Sequence, residues 1–481
     1  MNTDKYEVVI GLEVHAQLLT KTKLFCSDST VFGSDPNTQV SPISLAHPGT
    51  LPKMNKKAIE LAVKLGLALH CEIERHNYFA RKNYFYPDLP KGYQVSQHTA
   101  PVCKGGYVTV DIAEAKKNIQ LNRIHLEEDA GKSIHDIDPG YTCIDLNRAG
   151  VPLLEIVTEP CIHSAAEAFS FLTELRKTIR WLGVCDGNME EGSMRCDANV
   201  SIRLKGETTL GKRVEVKNLN SIRNVKRAIE IEQERLIALA EKNEPVIQET
   251  RSFDADKNST FSLRSKEEAD DYRYFPEPDL PPFVITDKYI DTVKTAMPAL
   301  PEQLKEKYMT QYALTEYDAS VICNDKEDAD FFEELIKYTV HSKPAANWLL
   351  GPLKFYCNEH SISMADFPLE PQAVSSLIDL SESGKVNFNN ASTSILHEMI
   401  RMPAETAVAI ANSLNLLQES DANSIEIWVN EVIASMPEKV KEYKSGKKGL
   451  IGLFAGEVKK KSKGKADMQV VNKLLSEKLK H

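Results

Sequence analysis

Between Tyr6 and Leu18 the chain reads Tyr-Glu-Val-Val-Ile-Gly-Leu-Glu-Val-His-Ala-Gln-Leu, with Tyr6, Val8, Ile10, Leu12, Val14, Ala16 and Leu18 at every even position. Period two belongs to a strand, whose successive side chains point to opposite faces, and it excludes a helix here. Burying the even face leaves the odd face to gather Glu13, His15 and Gln17, with Gly11 leaving room beside them. One such strand is equally compatible with ordinary solvent exposure. What separates the two readings is whether distant segments repeat the design.

They do. Leu121–Asp129 sets Arg123, His125, Glu127 and Asp129 opposite Ile124 and Leu126. Asp197–Leu204 sets Asp197, Asn199, Ser201 and Arg203 opposite Ala198, Val200, Ile202 and Leu204, and Arg213, Glu215 and Lys217 stand opposite Val214 and Val216. Val151–Val157 is nearly continuous in apolar residues and holds one acid, Glu155. A strand buried on both faces is expected there, and an unpaired carboxylate in it is costly, so Glu155 requires a cation. Helical spacing marks residues 55–69, 164–183 and 222–241, the second opening with Ser164 and Glu167 at capping-box spacing. The economical assembly is α+β: a mainly antiparallel sheet backed by helices, its charged faces gathered into a concave, cradle-like site.

A chain of 481 residues exceeds a single core. Prolines cluster from Pro276 to Pro301, and beyond them strand signals vanish. The expected division is a catalytic sheet domain over 1–293, a helical domain over 294–406 and a basic helical tail over 407–481. From Lys441 onward the tail carries twelve lysines against four acids, in a chain of net charge -10. Any contact with a phosphate backbone is therefore local to the tail, the alternative being a merely solvated terminus. No apolar run approaches the roughly 20 residues of a membrane span. The first residues carry neither a signal core nor a transit character, and the nine cysteines are scattered, so a cytoplasmic protein with reduced thiols and no membrane partner is expected.

Gly131-Lys132-Ser133 resembles the end of a phosphate-binding Walker loop, but Leu126 stands where that loop needs glycine, and Glu127-Glu128-Asp129 would repel phosphate. The acids suit a different arrangement, a divalent metal that in turn holds phosphates. Hard oxygen ligands with an imidazole fit Mg²⁺ or Mn²⁺, and the candidates are Glu13, His15, His125, Glu127, Glu128, Asp129 and Glu155. An ion-pair network with Arg123, Arg148 and Arg195 is the structural alternative, and the residues alone leave both open. No serine or cysteine sits in a nucleophile-elbow context.

Gly11-Leu-Glu-Val-His15, Arg81-Lys-Asn-Tyr-Phe-Tyr-Pro-Asp88, His125-Leu-Glu-Glu-Asp-Ala-Gly-Lys132, Glu190-Glu-Gly-Ser-Met-Arg-Cys-Asp-Ala-Asn199, Lys217-Asn-Leu-Asn220 and Asp270-Asp-Tyr-Arg-Tyr-Phe-Pro-Glu-Pro278 occur in that order. Together they resemble the B subunits of the heterotrimeric aspartyl/glutamyl-tRNA amidotransferases. The tail, with Lys463-Gly-Lys-Ala-Asp467 and Val471-Asn-Lys-Leu-Leu475, is similar to that family's C-terminal helical domain.

The resemblance implies a glutamine-dependent carbon–nitrogen ligase that uses ATP to phosphorylate the side-chain carboxylate of misacylated Glu-tRNA(Gln) or Asp-tRNA(Asn). Ammonia then displaces the phosphate. The implied partners are a glutaminase or amidase protein that makes ammonia from glutamine, a small third protein that completes the heterotrimer, and the tRNA. On this basis Glu13, His15, Glu128 and Glu155 are expected to hold Mg²⁺, with Glu127 and Asp129 as the next candidates. Lys82, Arg195 and Lys217 are expected to neutralise the phosphates of ATP, and Tyr86 and Asp88 to shape the pocket. Many relatives carry a zinc cluster of Cys-x-Cys and Cys-x-x-Cys; here those places read Cys26-Ser-Asp28 and Ser41-Pro-Ile-Ser44, so structural zinc is not expected. Two other classes compete with this reading: a non-catalytic tRNA-docking component whose polar sheet is only an ion-pair network, and a stand-alone metal hydrolase.

Overall fold

Strand β1 (Tyr6–Gln17) buries Val8, Ile10, Leu12, Val14 and Ala16. Each such side chain, fully removed from water, contributes about 1.5–3 kcal/mol for residues of valine to leucine size. The computed structural model describes residues 5–97, 99–112, 115–265, 272–417, 422–462 and 465–480. Asp270, Asp271, Lys463 and Gly464 of the motifs quoted above lie outside them.

The chain divides into two compact units, 1–298 and 299–481. In the first, β1 is the middle of a long sheet. The further strands of its main path are β2 (Ala80–Asn83), β3 (Tyr93–Ser96), β4 (Ala115–Glu128), β5 (Pro152–Thr158), β6 (Met194–Leu204), β7 (Val214–Lys217), β8 (Glu249–Asp254), β9 (Ser259–Ser265) and β10 (Phe275–Pro276). They run in the order β9-β8-β7-β6-β1-β5-β4-β3-β2-β10, antiparallel at every step except the parallel pair of β7 and β8. The strands with one charged face thus lie side by side, and β5, buried along nearly its whole length, sits between β1 and β4. The fold is α+β, as expected.

Three helices back this sheet. Helix α1 (Lys56–Ala68) is capped by Asn55, whose side chain accepts the Lys57 N–H at 2.9 Å. Helix α2 (Ala165–Trp181) is capped by Ser164, which accepts from the Glu167 N–H, and α3 (Ile222–Glu241) by Ser221. Their apolar stripes, including Leu61 and Leu65, Phe171 and Leu175, and Val225 and Ile229, are buried. Covering one sheet face this way leaves the other for polar groups.

Gly131 opens no helix. It precedes an exposed hairpin of Lys132–Asp138 and Tyr141–Asp145, and its N–H donates to the Asp88 carbonyl at 2.8 Å. A Cβ at Gly131 would stand 2.9 Å from the carbonyl oxygens of Asp88 and Asp145. The glycine is required by close backbone packing and not by a phosphate, which agrees with setting the Walker reading aside.

The second unit is helical. Tyr308, Phe332 and Trp348 are fully buried in its first part. Its last helices, within residues 422–480, enclose a core of their own that includes Ile425, Val429, Phe454, Val458, Val471 and Leu475. Among the described residues no helix is long and apolar enough to cross a membrane. All nine cysteines are free thiols.

Candidate active site

Strand register builds the site. His15 on β1 stands opposite Glu155 on β5, and Glu155 stands opposite His125 on β4. Glu127 follows two residues after His125 and so shares its face. One ligand atom from each of His15, Glu127 and Glu155 lies within 4.8 Å of the others. The His15 Nε2 is 3.7 Å from Glu127 Oε1 and 3.5 Å from Glu155 Oε2. The His125 Nε2 faces the same two carboxylates at 3.6 and 3.5 Å.

These separations exceed ordinary N–H···O hydrogen bonds of about 2.7–3.2 Å. They leave room for one small cation approached by each donor at about 2.0–2.2 Å. Two carboxylates and an imidazole suit a divalent ion of the magnesium or manganese class, so the donor chemistry fits the expected metal. The Nδ1 of His125 is buried and has no hydrogen-bond partner among the described residues, which leaves the edge turned to the two carboxylates as that ring's polar engagement.

Burial by itself would lower the His15 pKa, but the Glu155 and Glu127 carboxylates raise it above its usual value. Burial would likewise raise Glu155, yet His125, His15 and Lys82 hold it well below the carboxylate range. The acid that needed a cation therefore has several cationic neighbours, including Arg123 at 3.8 Å. Lys82 keeps its charge despite burial because Glu127 and Glu155 lie close. Its ammonium lies 4.9 Å from the centre of the Tyr272 ring and 5.8 Å from that of Tyr84.

The other expected residues divide between this cluster and its surroundings. Glu13 is on the same face of β1 as His15, and Asn199 Nδ2 donates to its Oε1 at 2.9 Å. Asp129 is engaged elsewhere: Arg195 binds its Oδ2 at 2.7 Å, Gln17 donates to the same atom at 2.8 Å, and Arg148 stands at 3.8 Å. Against the effect of burial, Arg195 and Arg148 hold Asp129 below its usual pKa. Lys217 pairs with Asp197 at 2.5 Å and Glu215 at 3.0 Å. Asp88 accepts from Ser133 Oγ at 3.2 Å, and Tyr86 is exposed. Ion pairs thus engage Asp129 and Asp197, whereas His15, Glu127 and Glu155 bring three donor atoms close enough to hold a metal ion.

Glu128, expected to hold the metal, is engaged by other partners. Its carboxylate accepts the Val95 N–H at 2.9 Å and pairs with Lys91, so it is not among the clustered donors, and Glu127 holds the place assigned to it. Adjacent residues of a strand face opposite sides, so only one of two neighbouring acids can join His125. Lys91 and Glu128 border a separate cavity of about 150 Å³ with Phe25, Tyr93 and the fully buried Lys23. Neither lysine was singled out from sequence; the signal for Lys91 was a cation beside the Tyr-Pro-Asp segment. At the places of the expected missing zinc cluster, Asp28 accepts a hydrogen bond from Ser44.

Two family descriptions match the chain: GatB/GatE catalytic domain over residues 8–291, and GatB domain over 330–479. The aspartyl/glutamyl-tRNA(Asn/Gln) amidotransferase B subunit of Thermodesulfovibrio yellowstonii is 48% identical over 471 residues, covering 98% of this chain and 98% of that one. The protein of the same description from Chlorobium phaeobacteroides is 48% identical over 477 residues, covering 98% and 99%. That of Geobacter sulfurreducens is 46% identical over 478 residues, covering 99% of each.

Proposed function

The chain belongs to the family of aspartyl/glutamyl-tRNA(Asn/Gln) amidotransferase B subunits, and on that premise we propose that its acid–imidazole cluster is where the carboxylate of a misacylated tRNA is activated by ATP and amidated. The observation that carries this reading is the convergence of His15, Glu127 and Glu155, from three adjacent strands, at spacings wider than hydrogen bonds.

A carboxylate is a poor electrophile. Transfer of the γ-phosphoryl group to its oxygen, with ADP leaving, gives an acyl phosphate; ammonia then attacks the carbonyl carbon, inorganic phosphate departs, and a proton is lost. Phosphoryl transfer needs positioning and charge neutralisation more than covalent help from the protein. His15, Glu127 and Glu155 are the residues that would hold a divalent cation, with Glu13 and His125 beside them. When bound, such a cation supplies positive charge against the phosphate oxygens. Lys82, held charged beside the cluster, orients phosphate oxygens, and Arg195 and Lys217 add positive potential from their pairs with Asp129 and Asp197. Tyr86 and Asp88 shape the pocket in this reading. Ammonia is supplied by a partner amidase, with a small third protein completing the complex, and the lysine-rich 407–481 segment contacts tRNA.

A docking role alone draws support from the Arg195–Asp129 and Lys217–Asp197 pairs. The activation reading draws its support from the convergence of His15, Glu127 and Glu155 donor atoms within 4.8 Å of one another. The two readings separate in an assay with γ-labelled ATP and Glu-tRNA(Gln) or Asp-tRNA(Asn), run without an ammonia source. Label is expected to pass to the aminoacyl-tRNA in the wild-type complex and not with His15→Ala, while tRNA binding persists. Equal transfer by the variant would leave docking as the role of this chain, and phosphate release without any aminoacyl-tRNA would favour a hydrolase.

A further inference from the structure

Beside the cluster three tyrosine rings meet at a corner. Tyr84 stands edge-on to Tyr86, with centroids 5.8 Å apart and planes at 69°, and edge-on to Tyr272, at 5.9 Å and 68°. The second half of the corner is fixed by backbone: the Asn83 N–H donates to the Tyr272 carbonyl at 2.9 Å, and Asn83 Nδ2 donates to the Arg273 carbonyl at 2.6 Å. Edge-to-face packing covers only one ring face in each pair, and Lys82 lies over the Tyr272 ring. Tyr86 is 57% exposed and Tyr272 39%. Burying aromatic faces against a partner is strongly favourable, so two exposed rings held at a site's rim by the half-buried Tyr84 indicate a planar ligand.

The ligand's chemistry follows from what adjoins the rings. Lys82, whose ammonium lies 4.9 Å from the Tyr272 ring and feels Glu127 and Glu155, links the corner to the metal cluster within one side-chain length. A planar group joined to an anionic backbone, with its reacting carboxylate a few bonds beyond, matches that sequence of surfaces. We propose that the Tyr84–Tyr86–Tyr272 corner stacks the 3′-terminal nucleobase of the aminoacyl-tRNA and so delivers the esterified side chain to His15, Glu127 and Glu155. This rests on the function proposed above. The openness of Tyr86 and Tyr272 favours an RNA end entering from solvent over the base of an enclosed mononucleotide. Single-stranded ends are recognised in this way, and a base–aromatic stack is tolerant of sequence.

The test uses the assembled amidotransferase complex carrying Tyr86→Leu, Tyr272→Leu or the ring-preserving Tyr86→Phe and Tyr272→Phe. Each leucine variant is expected to raise the KM for aminoacyl-tRNA roughly tenfold, by a larger factor than the KM for ATP, and each phenylalanine variant to restore the wild-type value. A second readout replaces the terminal adenine of the tRNA by 2-aminopurine, whose fluorescence is quenched on stacking. Quenching is expected with wild-type and phenylalanine complexes and is expected to be lost with leucine. A larger rise in the ATP KM instead would assign the corner to the base of ATP and overturn the proposal, as would leucine variants that quench like wild type. If the catalytic reading fails, His15→Ala passes label to the aminoacyl-tRNA as wild type does while quenching remains. If stacking fails, quenching is absent while turnover remains.

Discussion

Glu155→Gln is expected to lower ATP-dependent amidation by on the order of 10²–10³-fold, the scale on which removing one preorganised electrostatic contact slows an enzyme. The side chain keeps its shape and loses its charge. Glu155 occupies the middle of β5, with His15 and His125 as its register partners on either side. His15, His125, Lys82 and Arg123 would then face one another with a single clustered carboxylate, Glu127, so affinity for a divalent cation falls with activity. Affinity for tRNA is expected to stay at the wild-type level. Titration with Mn²⁺, followed by its paramagnetic resonance, distinguishes this from general damage. Glu155→Gln should lose tight Mn²⁺ binding, whereas Glu128→Gln should keep it, because Glu128 is engaged by Lys91 and the Val95 N–H. Equal loss in both variants would count against the assignment of donors.

Removing the chain after residue 417 is expected to weaken tRNA binding at least tenfold and to flatten its salt dependence, since each lost phosphate contact removes about 0.7–0.9 from the slope of log affinity against log salt. The cut belongs after 417, and not at 407, for a packing reason. Ala407, Ile410 and Ala411 of the helix Ala407–Ser413 are buried, and this helix packs against Pro371–Glu382. The helices from Ala422 onward enclose a separate core, so the remainder keeps its own. Several tail lysines are already paired, Lys461 with Glu431 at 2.6 Å and Lys478 with Glu426 at 2.5 Å. The slope should therefore fall by less than the lysine count suggests. Filter binding over a range of salt concentrations measures both quantities. Unchanged affinity at every concentration would place the tRNA contact elsewhere.

Much of this arrangement was legible in the residues because two-fold alternation is set by the backbone itself. Tyr6–Leu18 dictated which face of β1 is buried, and the same alternation at Arg123, His125 and Glu127 dictated what faces His15. Glu155 was identified by the cost of an acid in an apolar run, and its neighbours are imidazoles and cations. What sequence could not resolve was the division among adjacent acids. Glu127, Glu128 and Asp129 look alike in composition, and their fates depend on partners far along the chain: Lys91 on one side, Arg195 on the other. Ser164 does cap α2, but the Glu167 carboxylate accepts the His163 N–H and binds Lys117 rather than closing the reciprocal box. The hairpins over 132–145 and 249–265 carry little signal, because the first has no sustained apolar alternation and in the second only Phe261 and Leu263 alternate, and both are exposed. The first is largely exposed, and in the second Thr250 and Ser252 are buried polar residues.

The most direct measurement is anomalous diffraction from a crystal of the complex soaked in Mn²⁺ and an unreactive ATP analogue. The expected result is one strong peak within about 2.0–2.3 Å of donor atoms of His15, Glu127 and Glu155, adjoining the analogue's phosphates. A peak bound through Glu128 instead, or full occupancy by the analogue with no metal near His15, would contradict it.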